Sequence, residues 1–420
     1  MTFKPLFSTA GTATTAGRHR WVPTTALACA ALAAVVLGAA LPAVAAPAAR
    51  PAVVAAGGAG ATGDRLPELD PRALRHALSS APDHVTGVLA RVSGPDGHWT
   101  GTYGTADITT GAPVPVDGRF RLGSVTKTFI ATVVLQLAAE DRVDLDQPVQ
   151  RYLPGLLPDD YPPIPVRTLL NFTSSLPELT PDDLPTTPDG IVEHRFDDHP
   201  LSELVAKAVR HERPFAEPGH MQVYGATGYY VAAMLVESLT GHTYQREITT
   251  RILQPLHLRD TTAPQVDTTI PGPHSHGYIA VPRPDGGSRL VDITEQNPGA
   301  GGMISTTADL DRFLTALFRG RLLPPPEQAE LFDVPDVPSL SGTAGDPRPA
   351  NVHYAAGLMR VTLSNGVTVW GKTGTTFGYT SGMFATRDLR RRVVYSFNPT
   401  SGGGNDLALA TRIPTAAFAP

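Results

Sequence analysis

The chain has 420 residues, of which 41% are hydrophobic, with a formal net charge of -5 and a single cysteine. That length supports one large core or two. Mild acidity offers no basic surface for nucleic acid, and one cysteine cannot build a disulfide framework or a thiolate metal site.

Lys4, Arg18 and Arg20 precede an Ala-rich apolar run from about Val22 to Ala40, followed by Ala43-Val44-Ala45. This is the pattern of a secretory signal peptide over residues 1–45 with an A-x-A cleavage site. An uncleaved anchor is the competing reading, since the run approaches spanning length; its small residues and good cleavage site favour removal. Cys29 lies inside the run. The processed chain is therefore expected to be secreted, extracellular, free of the membrane and without cysteine, which excludes cysteine or zinc-thiolate catalysis. Residues 46–65, rich in Ala, Gly and Pro, read as a disordered linker, with order beginning near Leu66.

Asp70 before Pro71 predicts a capped helix to Leu78. Residues 85–92 and 98–103 flank Gly94-Pro95-Asp96-Gly97, a hairpin signal. A strand through Phe120 leads into Ser124-Val125-Thr126-Lys127. Val125, Phe129, Val133 and Leu137 recur at four-residue spacing, widened by Ile130 and Val134, so a largely buried helix begins near Ser124. From Asp141 to about Gly272, Pro-rich loops separate helical stretches, clearest at 201–209 and 228–239. After a helix from Ala308 through Leu317 the strand signals return. Residues 361–363 and 367–370 bracket Ser364-Asn365-Gly366, with Lys372-Thr373-Gly374-Thr375 directly after them. A second hairpin spans 379–386 and 392–397, and 406–418 closes as a helix. Strands at both ends with helices between predict an α/β (α+β) fold: an antiparallel sheet flanked by helices, drawn from about 66–135 and 296–420, with an all-α subdomain inserted over about 136–295.

Lys127 lies one helical turn from Ser124, on the same face. A serine hydroxyl attacks a carbonyl only if a neighbour takes its proton, and a lysine does so when burial leaves it partly neutral. The helix N-terminus favours the developing oxyanion. Alone, S-x-x-K is better read as an N-cap serine with a solvated lysine, since about one chance match is expected in a chain this long. Two further motifs stand in order behind it: Tyr224-Gly225-Ala226 at a helix entry, and Lys372-Thr373-Gly374-Thr375. Serine enzymes that recognise penicillin use S-x-x-K, S-D-N and K-T-G.

Over most of residues 66–420 the chain resembles the serine DD-peptidases related to class C β-lactamases, and among them the secreted D-alanyl-D-alanine carboxypeptidases. The likeness is carried by residues 120–127, Val143-Asp144-Leu145-Asp146-Gln147-Pro148, Tyr152-Leu153-Pro154-Gly155, Pro218-Gly219 before Tyr224, Ile252-Leu253-Gln254-Pro255-Leu256, Gly301-Gly302-Met303-Ile304-Ser305-Thr306 and residues 371–379. The resemblance implies that Ser124 is acylated by a D-Ala-D-Ala peptide or a β-lactam. Lys127 would be its proton acceptor, or would hold the hydroxyl while Tyr224 acted. Tyr224 would protonate the leaving amine and later activate water. Lys372, with Thr373, Gly374 and Thr375, would hold the substrate carboxylate, and Arg360 would read it. The backbone N–H groups of Ser124 and Thr375 would form the oxyanion hole. Neither a cofactor nor a metal is implied, and the expected protein is a monomer acting on peptidoglycan peptides or β-lactams.

Two departures stand out. Ala226 occupies the position of an asparagine that usually bonds the first lysine and the substrate amide. Asn171-Phe172-Thr173-Ser174-Ser175-Leu176-Pro177 replaces the commoner Thr-His-Thr-Ser-Gly-Leu-Pro. Three readings stay open: a penicillin-sensitive carboxypeptidase; a β-lactamase, esterase or D-amino-acid amidase on the same scaffold; and a binding protein slowed or silenced by Ala226. No G-x-S-x-G elbow occurs. His194, Asp197, Asp198 and His199 lack metal-site spacing and read as a solvated loop.

Overall fold

A computed structural model describes residues 66–95, 97–340, 352–401 and 406–418. The expected signal peptide with Cys29, the linker at 46–65 and Asp96 of the first turn lie outside these residues. Eight strands make one sheet: β1 (Val85–Gly94), β2 (Gly97–Asp107), β3 (Ala112–Pro113), β4 (Val352–Tyr354), β5 (Met359–Thr362), β6 (Thr368–Thr376), β7 (Tyr379–Thr386) and β8 (Arg392–Pro399). Their order is β4-β5-β6-β7-β8-β1-β2-β3, with every neighbouring pair antiparallel. The two ends of the chain meet at the β8–β1 pair, where Val88 lies opposite Phe397 and Val92 opposite Val393.

Every residue of β7 is buried, as is all of β8 after Arg392. Strands covered on both faces read as near-continuous runs of apolar and small residues rather than alternating ones. Helices α4 (Thr307–Phe318) and α5 (Leu407–Phe418) cover them, α1 (Pro71–Ser79) lies over β1 and β2, and α2 (Thr126–Ala139) and α3 (Thr227–Thr240) pack against each other. Asp70 caps α1 by accepting the Arg72 N–H at 2.7 Å, the cap expected from the Asp-Pro pair. On one face of the sheet α1 packs against α5, and the Tyr395 hydroxyl of β8 donates to the Ala410 carbonyl of α5 at 3.1 Å. The opposite face meets α4, where Arg392 donates to Asp311 at 2.6 Å. Phe129 of α2 stacks on Phe313 of α4, 3.8 Å between ring centroids.

The segment inserted between α2 and α4 joins short helices by long loops, and it also holds an antiparallel hairpin, Tyr278–Pro282 with Ser288–Asp292, that the helical reading did not include. Its turn is Pro284-Asp285-Gly286-Gly287, with both glycines at positive φ (91° and 75°). That run is a turn signal in its own right. Among the described residues no helix is long and apolar enough to cross a membrane.

Candidate active site

Phe120–Arg121 pairs with Ile304–Ser305, and the Leu122 N–H donates to the Met303 carbonyl at 2.8 Å, so the chain arrives at Ser124 from a fixed direction. A single 3-10 turn, Gly123–Val125, then feeds α2. Gly123 has φ +53°, and a Cβ there would lie 2.5 Å from the Thr375 nitrogen. From the other side, a Cβ on Gly374 would lie 1.9 Å from the Leu122 carbonyl oxygen and 2.8 Å from the Ser124 nitrogen. Real Cβ atoms do not come that close. The two glycines thus let the serine turn rest on the β6 backbone, with the amides of Ser124 and Thr375 side by side.

Ser124 is not a helix cap. The capping positions are Leu122 and Val125, and neither makes a side-chain cap bond. Its hydroxyl instead accepts a hydrogen bond from Lys127 Nζ at 3.1 Å. Burial lowers the Lys127 pKa to about 8, with the Glu178 carboxylate pulling the other way. A share of neutral amine is then present near neutral pH, as a proton acceptor requires.

Tyr224 follows a two-residue strand, Gln222–Val223, that pairs in parallel with Ser339–Leu340. Its ring is wedged between Phe172 (4.7 Å) and Tyr354 (5.1 Å). The hydroxyl accepts from Lys372 Nζ at 3.2 Å, and Lys372, 1% exposed, also donates to the Thr373 carbonyl at 2.9 Å. Lys127 and Lys372 place their ammonium groups 5.6 and 4.7 Å from the Tyr224 ring centroid. One nucleophile, one phenol and two amines therefore converge.

The strand bearing Lys372 is longer than the sequence suggested: β6 runs through the whole of Lys372-Thr373-Gly374-Thr375. Inside a strand, side chains alternate between faces. Lys372 and Gly374 share the face of the serine turn. Thr373 faces α5, donating to Met359 Sδ at 3.6 Å, so its hydroxyl is not beside Lys372. Arg360 is also not brought to the serine. It lies opposite Trp370 with its guanidinium over that ring, 5.9 Å from the centroid. Trp370 precedes Gly374 by four residues, or about 13 Å of strand.

Ala226 caps α3 with no side-chain bond of its own. Glu178 does that work: its carboxylate accepts the backbone N–H of Ala226 at 2.8 Å and of Thr227 at 3.0 Å. The sequence reading passed over this residue, because its partners lie 48 and 49 positions downstream and no spacing marks it. Of the polar cluster at 194–199, His194 pairs with Asp197 at 2.8 Å on the surface. Among the described residues no group of three or more His, Cys, Asp or Glu could hold a metal ion. A recess of about 540 Å³ between residues 249–271 and Ile304 is lined by none of the converging groups.

An antiparallel sheet flanked by helices, with a lysine-bonded serine and a tyrosine beside a second lysine on β6, defines a serine hydrolase of the β-lactamase fold. A family profile described as Beta-lactamase matches residues 74–417, and the chain belongs to that family. It is similar to a D-stereospecific amidohydrolase from Streptomyces sp. of known structure, with 36% identity, 83% of this chain and 99% of that one covered, and a TM-score of 0.71. A D-amino acid amidase from Ochrobactrum anthropi SV3 shares 29% identity over 82% of this chain and 97% of that one, with a TM-score of 0.65. Penicillin-binding protein 4* of Bacillus subtilis (strain 168) is 26% identical over 248 residues, 56% of this chain and 52% of that protein. The chain spans about half the length of the curated relatives it matches.

Proposed function

We propose that the protein is a secreted, monomeric serine hydrolase that cleaves amide bonds beside a D-configured residue through an acyl-enzyme on Ser124. The observation that carries this reading is the pair of hydrogen bonds Lys127 Nζ to Ser124 Oγ (3.1 Å) and Lys372 Nζ to Tyr224 hydroxyl (3.2 Å). Neutral Lys127 takes the Ser124 proton as Oγ attacks the carbonyl carbon. The oxyanion forms between the amides of Ser124 and Thr375. The Tyr224 hydroxyl, held by Lys372, protonates the leaving amine, and later takes a proton from the water that releases the acid.

Likeness to the amidohydrolase and the amidase supports the D-amide substrate. So do the positions of Arg360 over Trp370 and of the Thr373 hydroxyl against Met359, since two groups expected to read a terminal carboxylate lie away from the serine. The second reading is a D-alanyl-D-alanine carboxypeptidase on peptidoglycan stem peptides, inhibited by penicillins. It is favoured by the likeness to penicillin-binding protein 4* and by Lys372, a buried lysine hydrogen-bonded to the Tyr224 hydroxyl, which could meet a terminal carboxylate.

The deciding assay offers the protein processed after Ala45 D-phenylalanine amide, L-phenylalanine amide and a peptide ending in D-Ala-D-Ala, beside a Ser124→Ala control. Ammonia release from the D-amide alone supports the amidase. Release of D-Ala with no amide turnover would replace it with the carboxypeptidase, and no turnover of any of the three would leave the binding-protein reading.

A further inference from the structure

Ala226 has only a methyl group to turn toward Lys127, yet Lys127 is held at hydrogen-bond distance from Ser124. The carboxylate nearest this corner belongs to a loop distant in sequence. Glu178 spans the first turn of α3, one oxygen on the Ala226 amide and the other on the Thr227 amide. It lies so close over Gly225 that a Cβ there would sit 2.0 Å from Glu178 Oε1. Gly225 is therefore small because the carboxylate occupies the space beside it. Burial favours the neutral form of both groups, lowering the Lys127 pKa and raising that of Glu178, and against it each favours the other's charged form.

We infer that Glu178 is a positioning residue for the Ser124–Lys127 pair: it fixes the Tyr224–Ala226 turn through two backbone amides and gives Lys127 the polar neighbour that Ala226 cannot provide. The inference rests on the reading that Ser124 is acylated with Lys127 as proton acceptor. The groups around Lys127 are Ser124 on its own helix, the Tyr224 and Tyr229 rings at 5.6 and 5.7 Å, and Glu178; Lys372 lies across the Tyr224 ring. Around Glu178 stand the two amides, Lys127 and Tyr230. Of these, Glu178 is the carboxylate whose charge favours protonated Lys127, against the larger and opposite effect of burial.

The test compares the parent chain with Glu178→Gln, which keeps the shape but not the charge, with Ala226→Asn, and with the two combined. Two readouts are taken: the titration midpoint of Lys127 in protein labelled with ¹³C-lysine, assigned with Lys127→Arg, and the rate of Ser124 acylation by p-nitrophenyl acetate. The glutamine variant is expected to lower the Lys127 midpoint by about one unit and the acylation plateau about tenfold. Ala226→Asn is expected to recover at least about threefold of that loss in the glutamine background, and to gain nothing in the parent, where Glu178 already fills the corner. A mere helix cap behaves otherwise: melting temperature falls while the midpoint and plateau stay put, and that result overturns the inference. If the parent itself does not acylate, the hydrolase reading fails on its own, and the Lys127 midpoint still decides whether Glu178 acts on it.

Discussion

Gly374 lies directly under Leu122, where a Cβ would fall 1.9 Å from the carbonyl oxygen that also accepts the Ser381 hydroxyl at 2.9 Å. Any side chain at 374 pushes the serine turn off β6 and parts the Ser124 and Thr375 amides. Gly374→Ala is expected to slow acylation about 100-fold or more, the usual cost of losing one oxyanion donor, and to cost about 1–3 kcal/mol through overpacking. Burst kinetics with a fluorescent penicillin and a melting curve check the two parts. Full acylation by this variant would mean that the two amides are not the oxyanion hole.

Acylation should follow the neutral form of Lys127. With its pKa lowered to about 8 by burial, the rate is expected to rise about tenfold per pH unit below that value and to level off above it. Stopped-flow acylation between pH 5 and 10 measures the limb. A flat profile over that range would remove Lys127 as proton acceptor.

The same shift affects stability. The folded-state pKa of about 8 lies below the ordinary lysine value of 10.5, so between these pH values the unfolded chain binds more protons than the folded one. Stability therefore rises with pH through that window, and the penalty for burying the charge is fully present below pH 8. Lys127→Met removes this dependence. Its melting temperature relative to the parent is expected to be most favourable at pH 7 and to lose that advantage toward pH 10.5, while acylation falls about 1,000-fold. Melting curves of both proteins across the window decide it.

Tyr224→Phe deletes the hydroxyl that Lys372 holds and leaves the ring packed between Phe172 and Tyr354. The expected loss in kcat is about 100-fold to 10,000-fold, the range for general acid–base groups, with the fold intact. Intact mass spectrometry during turnover locates the blocked step. Accumulated acyl-enzyme assigns Tyr224 to water activation, and absence of adduct assigns it to acylation.

Arg360→Ala removes a guanidinium seated over Trp370 rather than over the serine. The amide assay is expected to stay within about twofold, with about 0.5–1 kcal/mol lost from the cation–π contact. A selective collapse on the D-Ala-D-Ala peptide would restore Arg360 as a carboxylate reader and favour the carboxypeptidase.

What could be read in the sequence was what depends on neighbours along the chain. Ser124 and Lys127 are three residues apart, and the hairpins announce themselves by turn residues between apolar runs. Contacts that cross the fold were hidden. Glu178 finds Ala226 and Thr227 across 48 and 49 residues, and no periodicity connects them. Thr373 and Arg360 escaped for a different reason: alternation along β6 turns Thr373 to the face away from the serine, and register against β5 sets Arg360 opposite Trp370, four residues short of Gly374 on the same face, whereas a motif read as a loop after a strand carries neither constraint.

The junction between β1 and β8 has a kinetic side. The Thr86 hydroxyl donates to the Asn398 carbonyl across 312 residues of chain. A nascent polypeptide therefore makes its first hairpin long before the partner strand exists, and β1 must wait with an open edge. Contacts this remote in sequence slow folding and prolong exposure of unpaired strands. Because β6 also belongs to the last segment made, the serine turn cannot be seated until the final strands arrive, and a chain truncated before residue 368 would carry the nucleophile without the surface that shapes it.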